Sequence, residues 1–221
     1  MKTDDLIERL ARDAAVVTPL PAPGVRTATW LVWGVVYLVA MAARFFITMP
    51  HGGAVMTPLL LLQQGAALMM GITAARAAFA SVVPGGDPRV RMLPAVSGAV
   101  WIALLLWGCV RDLQTLGTLG ATSQSDWPCV MAIAIGGGIL WLPMVVMLRR
   151  GAPLTPRATA FLGGLAALSL ANIEACLMRS HEFASTVLLW HGVTLVVVAS
   201  LFAWTGRRLL RWPVVEDALR R

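Results

Sequence analysis

The chain has 221 residues, 58% of them hydrophobic and only 13% charged, with a mean hydropathy of +0.75. Soluble domains are roughly 45–50% apolar and about 25% charged, so too few polar side chains remain here to coat a water-facing surface. The formal charge of +7 would suggest nucleic acid in a soluble protein. Here the basic residues fall between hydrophobic runs, where they read as topology signals, and direct nucleic-acid binding is not expected.

The first segment, Met1–Val17, is acidic-rich and unlike the rest of the chain. No signal peptide is expected, because the first hydrophobic run is too long for an h-region and no small-residue cleavage site comes after it. Thr3 is placed to cap a helix, with Asp4 and Asp5 in its first turn against the positive end of the dipole. Leu6, Leu10, Ala14 and Val17 recur at helical spacing and Ile7 widens that face, while Asp5, Glu8, Arg9, Arg12 and Asp13 lie elsewhere. Pro19, Pro21, Pro23 and Gly24 then end the helix and form a short linker. A helix of about 15 residues is marginal alone in water, so its apolar stripe needs a cover. The cover is either membrane lipid and the inner face of the bundle, or a groove in a cytoplasmic protein.

Six later stretches have the roughly 20 apolar residues needed to cross hydrocarbon as a helix. They run near Ala28–Met49, Pro58–Val83, Leu93–Leu113, Pro128–Leu148, Ala158–Met178 and Ala184–Trp204. Between them lie the breakers Pro50–Gly53, Pro84–Pro88, Ser123–Pro128 and Gly151–Pro153. The predicted fold is an all-α, six-helix transmembrane bundle with a short cytoplasmic amphipathic helix ahead of it. Its parts are a docking helix and linker (1–26), the membrane domain (27–206) and a basic tail (207–221). With the N-terminus inside, 14 of the 18 basic residues collect on the cytoplasmic side, leaving Arg76 at the inner end of the second span. Only Arg44, Arg111 and Arg179 lie toward the outside. Both termini are therefore expected in the cytoplasm.

Depth can be counted from the inner boundary at about 1.5 Å per helical residue. Cys129, counted from Arg149, and Cys176, counted from Arg157, both lie about 30 Å up, and Cys109 about 27 Å up. All three thiols then face the outer compartment, where an oxidising environment is expected. A simple hairpin of the fourth and fifth spans would bring Cys129 and Cys176 level. They are either small apolar packing residues, a disulfide pair, or two soft metal ligands joined by His181. No CxxC or close His/Cys cluster occurs, so neither a structural zinc site nor any other cofactor is expected. Arg44 and Glu174 fall at about 26–27 Å, where they either pair, fixing the first span to the fifth, or snorkel outward. His191, at about 24 Å, is a hydrogen-bonded packing residue or a ligand, and Gln63 and Gln64 extend this outer polar layer. Gly136–Gly138 and Gly163–Gly164 most simply permit close helix contact.

Met1–Ile7 with Leu10-Ala11, the Pro-rich linker, six spans, Trp127-Pro128-Cys129, and Cys176 with Glu182-Phe183 and Trp190-His191 after it together resemble the NrsF-type anti-sigma factors. The resemblance covers essentially the whole chain. It implies a negative regulator of an extracytoplasmic-function sigma factor in the bacterial inner membrane. The sigma factor would be held by the N-terminal segment through Asp4, Asp5, Leu6, Ile7 and Leu10. It also implies that Cys129 and Cys176 sense heavy-metal or oxidative stress.

The leading expectation is a non-catalytic regulator with an outer sensor layer and an inner docking helix. To release the partner, the signal must change the docking free energy by a few kcal/mol. A membrane thiol oxidoreductase acting on quinone fits poorly, since that chemistry needs a reactive pair and a relay pair. A small transporter fits poorly too, because no inverted repeat is evident and the polar layer is thin.

Overall fold

Proline opens four of the six long helices and stands second in a fifth, a position where its missing N–H and fixed φ carry no penalty. The computed structural model describes residues 3, 5, 7, 8, 19–48, 56–83, 85, 87–117, 126–151, 153–177 and 183–210. The helices are α1 (Pro23–Thr48), α2 (Pro58–Ala80), α3 (Pro88–Leu116), α4 (Trp127–Arg149), α5 (Pro156–Leu177) and α6 (Ala184–Leu209). Every one is long and apolar enough to cross a membrane, and no strand occurs among the described residues.

Two boundaries differ from expectation for a local reason. Pro23 and Gly24, read as linker, form the first turn of α1 instead, because proline suits that position as well as it suits a loop. The third helix begins at Pro88 rather than Leu93, where the Asp87 carboxylate accepts the Arg89 N–H at 2.8 Å as a cap. It closes on Gly117 at φ 68°, the left-handed conformation that glycine adopts without strain.

Cross-links fix which ends meet. At one end the Arg26 guanidinium donates to the Met147 carbonyl and lies 4.6 Å from the Phe79 ring centre, tying α1 to α4 and α2. Arg149 Nε donates to the Leu209 carbonyl at 2.7 Å, and the hydroxyls of Ser81 and Thr159 lie 2.7 Å apart. Arg26 therefore acts as a buried clamp, beyond its expected place in the charge count. At the other end Gln63 Nε2 donates to the Leu104 carbonyl at 3.2 Å, and the Asp112 carboxylate accepts the Ala184 N–H at 2.9 Å. That carboxylate caps α6 from a different helix.

The fifth helix is the axis of the bundle. Every residue from Ala166 to Cys176 is buried, with α2, α4 and α6 packed around it. Small residues make this approach possible, as in helix packing where lipid gives no hydrophobic drive between helices. A Cβ on Gly163 would lie 2.6 Å from Trp141, and one on Gly164 would lie 2.6 Å from Phe202. Gly136 likewise makes room for Tyr37 and Gly137 for Leu168, whereas Gly138 faces open space. Outward faces carry large apolar side chains such as Val32, Trp33, Ile135 and Leu142.

Candidate functional site

The site is built where α4 begins, α5 ends and α6 makes its first turns. Asp126 stands at the N-cap of α4, yet its side chain makes no capping bond. Its Oδ2 lies 3.1 Å from Nε2 of His191 instead. On the ring's other edge, Nδ1 lies 2.8 Å from Asn172 Oδ1 and 3.5 Å from Cys176 Sγ. Asn172 and Cys176 are four residues apart on α5, so one helical face presents both, with 3.9 Å between Sγ and Oδ1. Cys129 comes one turn after Asp126, and its Sγ groups with the Asp126 carboxylate and the imidazole, the ligand atoms lying within 4.8 Å of one another.

All five side chains are buried, Asn172 and His191 completely. A buried carboxylate and imidazole are tolerable only when paired, and these two satisfy each other. Asn172 Oδ1 can only accept, so Nδ1 donates to it. The Nε2–Asp126 contact then holds one further proton, on ring or carboxylate. His191 closes a π-helical segment, Val187–His191, whose wider turn sets the ring against α4 and α5. The Thr194 hydroxyl donates to the Trp190 carbonyl at 2.6 Å, and the Trp190 ring packs on Trp127 at 5.9 Å.

Cys129 and Cys176 are both buried in this layer as thiols, and both lie close to the ring of His191. Cys109 is half-buried on α3 and does not join the cluster. His191 lies 3.5 Å from Cys176 Sγ and so shares the thiol layer, closer to it than the expected depth; at the opposite end of α6, Leu209 accepts from Arg149. Counted from Leu209, His191 is about 27 Å up.

The Arg44–Glu174 pair is not formed. Tyr37 donates its hydroxyl to Glu174 at 2.6 Å, so α1 is fixed to α5 by a different residue, and Arg44 is exposed. Gln63 bridges to α3, while Gln64 is buried with its Oε1 lacking a hydrogen-bond partner. In the N-terminal segment, Thr3, Asp5, Ile7 and Glu8 are helical and exposed. Asp4, Leu6, Leu10 and His181 lie outside the described residues.

Asp126 and Asn172 were not singled out from the sequence. The signals were there: an acidic residue just before a helix that opens on Trp-Pro, and an amide one turn below a cysteine in an apolar span. Neither a curated protein nor a solved structure matches the chain. A family profile described as negative regulator of sigma F matches residues 10–212, a range that takes in all six helices and every residue of the cluster. The chain therefore belongs to the NrsF family of negative regulators of sigma F.

Proposed function

We propose that this chain is an anti-sigma factor of the bacterial inner membrane. It holds an extracytoplasmic-function sigma factor at its cytoplasmic face and releases it when the thiols at the far end meet heavy metal or oxidant. The observation that carries the reading is the family match over residues 10–212, which makes the whole bundle part of the regulator. The match begins at Leu10, so the other docking residues, Asp4, Asp5, Leu6 and Ile7, precede it. Exposed Ile7 on a helical segment is in keeping with an apolar stripe that awaits a partner.

The orientation rests on the basic residues. Arg26, Arg149, Arg207 and Arg208 gather at one end of the bundle, and Asp126, Cys129, Cys176 and His191 at the other. The positive end is cytoplasmic. The role is regulatory and non-catalytic. A ligand or a new bond among α4, α5 and α6 favours one arrangement of the bundle, and the sigma-bound state is favoured by another.

The test is co-purification of the full-length protein with its sigma factor from membranes, before and after cadmium or oxidant. Loss of sigma factor on treatment is expected. Equal retention with and without stress would end the sensing role.

A further inference from the structure

We infer that Asp126, Cys129 and His191 are the direct ligands of one divalent transition-metal cation, and that Cys176 and Asn172 position the His191 ring from its other edge. The inference deepens the proposed sensor and rests on that reading for what binding does in the cell. The site itself stands on geometry alone. One oxygen, one sulfur and one nitrogen donor lie within 4.8 Å of one another, all on side chains more than nine-tenths buried. A set of three such donors suits the borderline ions, zinc and its neighbours cobalt, nickel and copper(II). Calcium and magnesium prefer oxygen alone, and copper(I) prefers sulfur.

The surroundings are those of a metal-bound histidine. A ligating imidazole donates its second N–H to an oxygen that fixes the ring, and Asn172 Oδ1 does this at 2.8 Å. Cys176 Sγ shares that edge at 3.5 Å, so it touches the imidazole nitrogen that faces away from Asp126. The two cysteines thus take different roles, ligand and positioning residue. Buried Asn172 Nδ2 has no hydrogen-bond partner, and a water completing a tetrahedral ion would supply one. At the Nε2–Asp126 contact the cation replaces a proton, and Cys129 loses its thiol proton on ligation.

Ligand atoms around a tetrahedral zinc are about 3.3–3.8 Å apart, given bond lengths near 2.0–2.3 Å. Asp126 Oδ2 and His191 Nε2, 3.1 Å apart, already stand near that spacing, and Cys129 Sγ lies within 4.8 Å of the other two ligand atoms, about 1 Å or less outside it. Asp126 and Cys129 are on α4 and His191 on α6, so one bound ion would cross-link these two helices across the end of α5.

Cobalt(II) titration of the full-length, chelator-treated protein in detergent tests the assignment, with absorption read for the thiolate-to-cobalt band and zinc used as competitor. One equivalent with that band is expected. Cys129→Ser should bind without the band, and Asp126→Asn and His191→Gln should weaken binding by about 100-fold or more. Cys176→Ser should keep the band and weaken binding by about tenfold. Circular dichroism and gel filtration identify variants that have lost the fold, and Asp126→Asn, which keeps shape, decides if His191→Gln is among them. A band lost in Cys176→Ser but kept in Cys129→Ser would overturn the assignment. So would a well-folded wild-type protein that binds no cobalt, which would leave a structural Asp–His pair only. Cobalt binding without sigma release would instead sink the sensing role and leave the site standing. Thiol-dependent sigma release by cadmium without cobalt or zinc binding would do the reverse.

Discussion

Sγ of Cys176 and Oδ2 of Asp126 approach opposite edges of one imidazole, 3.5 Å from Nδ1 and 3.1 Å from Nε2 of His191. Any reaction at either thiol group is therefore felt by the same ring. In cells, Cys129→Ser and Cys176→Ser are each expected to lose induction by cadmium or oxidant while basal repression stays. Cys109→Ser, outside the cluster, should behave like wild type. A sigma-dependent reporter measures this, and loss of induction in Cys109→Ser alone would move the sensor to α3.

The Tyr37–Glu174 bond makes a stability prediction. Tyr37→Phe removes the donor at 2.6 Å and leaves a buried carboxyl group without it, at a cost of about 1–3 kcal/mol. Glu174→Gln keeps an acceptor for the hydroxyl and should cost less. Thermal unfolding in detergent ranks the two, and an unchanged midpoint in Tyr37→Phe would show that the bond adds nothing.

How far the sequence reached is clearest at this pair. Spans were legible because hydrocarbon forces long apolar helices, and the composition leaves no other use for them. Rotation about each helix was not. Charge and depth suggested Arg44 for Glu174, but Tyr37, about two turns along α1, is the residue that faces α5. The same gap applies to Cys129 and Cys176, which the sequence set at similar depth without showing that His191 lies beside both. Depth itself depended on the reference residue, since Arg149 bonds to Leu209, two residues past the Arg207 used for the count. The residues whose role is packing, such as Gly163 and Gly164, were read correctly because small size is the whole of their message.

The Arg26 clamp gives another test. Arg26→Ala removes a charged donor to Met147 and the contact with the Phe79 ring, and about 2–4 kcal/mol of stability is expected to go with them. Arg26→Lys should recover only part, since an ammonium does not lie flat on a ring while donating sideways. Proteolysis of membranes compares the three proteins, and equal resistance would rule the clamp out.

Docking is tested at Leu10. A carboxylate at that position would be buried in an apolar groove, so Leu10→Asp should free the sigma factor and raise its regulon without stress. The membrane level of the variant is measured alongside, because loss of the protein gives the same phenotype. Sigma binding that persists in a stably expressed Leu10→Asp protein would remove the N-terminal segment from the interface.

Orientation is tested by reporter fusions. Those at Gly86, Gly151 and after Arg221 should read cytoplasmic, and those at Gly53 and Gly120 periplasmic. An inside reading at Gly120 would break the arrangement of six spans.

The π-helical segment Val187–His191 has a further consequence for how α6 tolerates change in length. A π-turn carries one residue more than an α-turn, so this stretch holds a spare. Removing one outward residue there, such as half-exposed Leu189, is expected to leave Gly192–Leu209 on the same faces against α5. A deletion between Gly192 and Ala199 would rotate the remainder by about 100° and drive Ala199 and Gly206 out of their contacts. A scan of single-residue deletions along α6 should therefore show one island of tolerated shortening, immediately above the histidine.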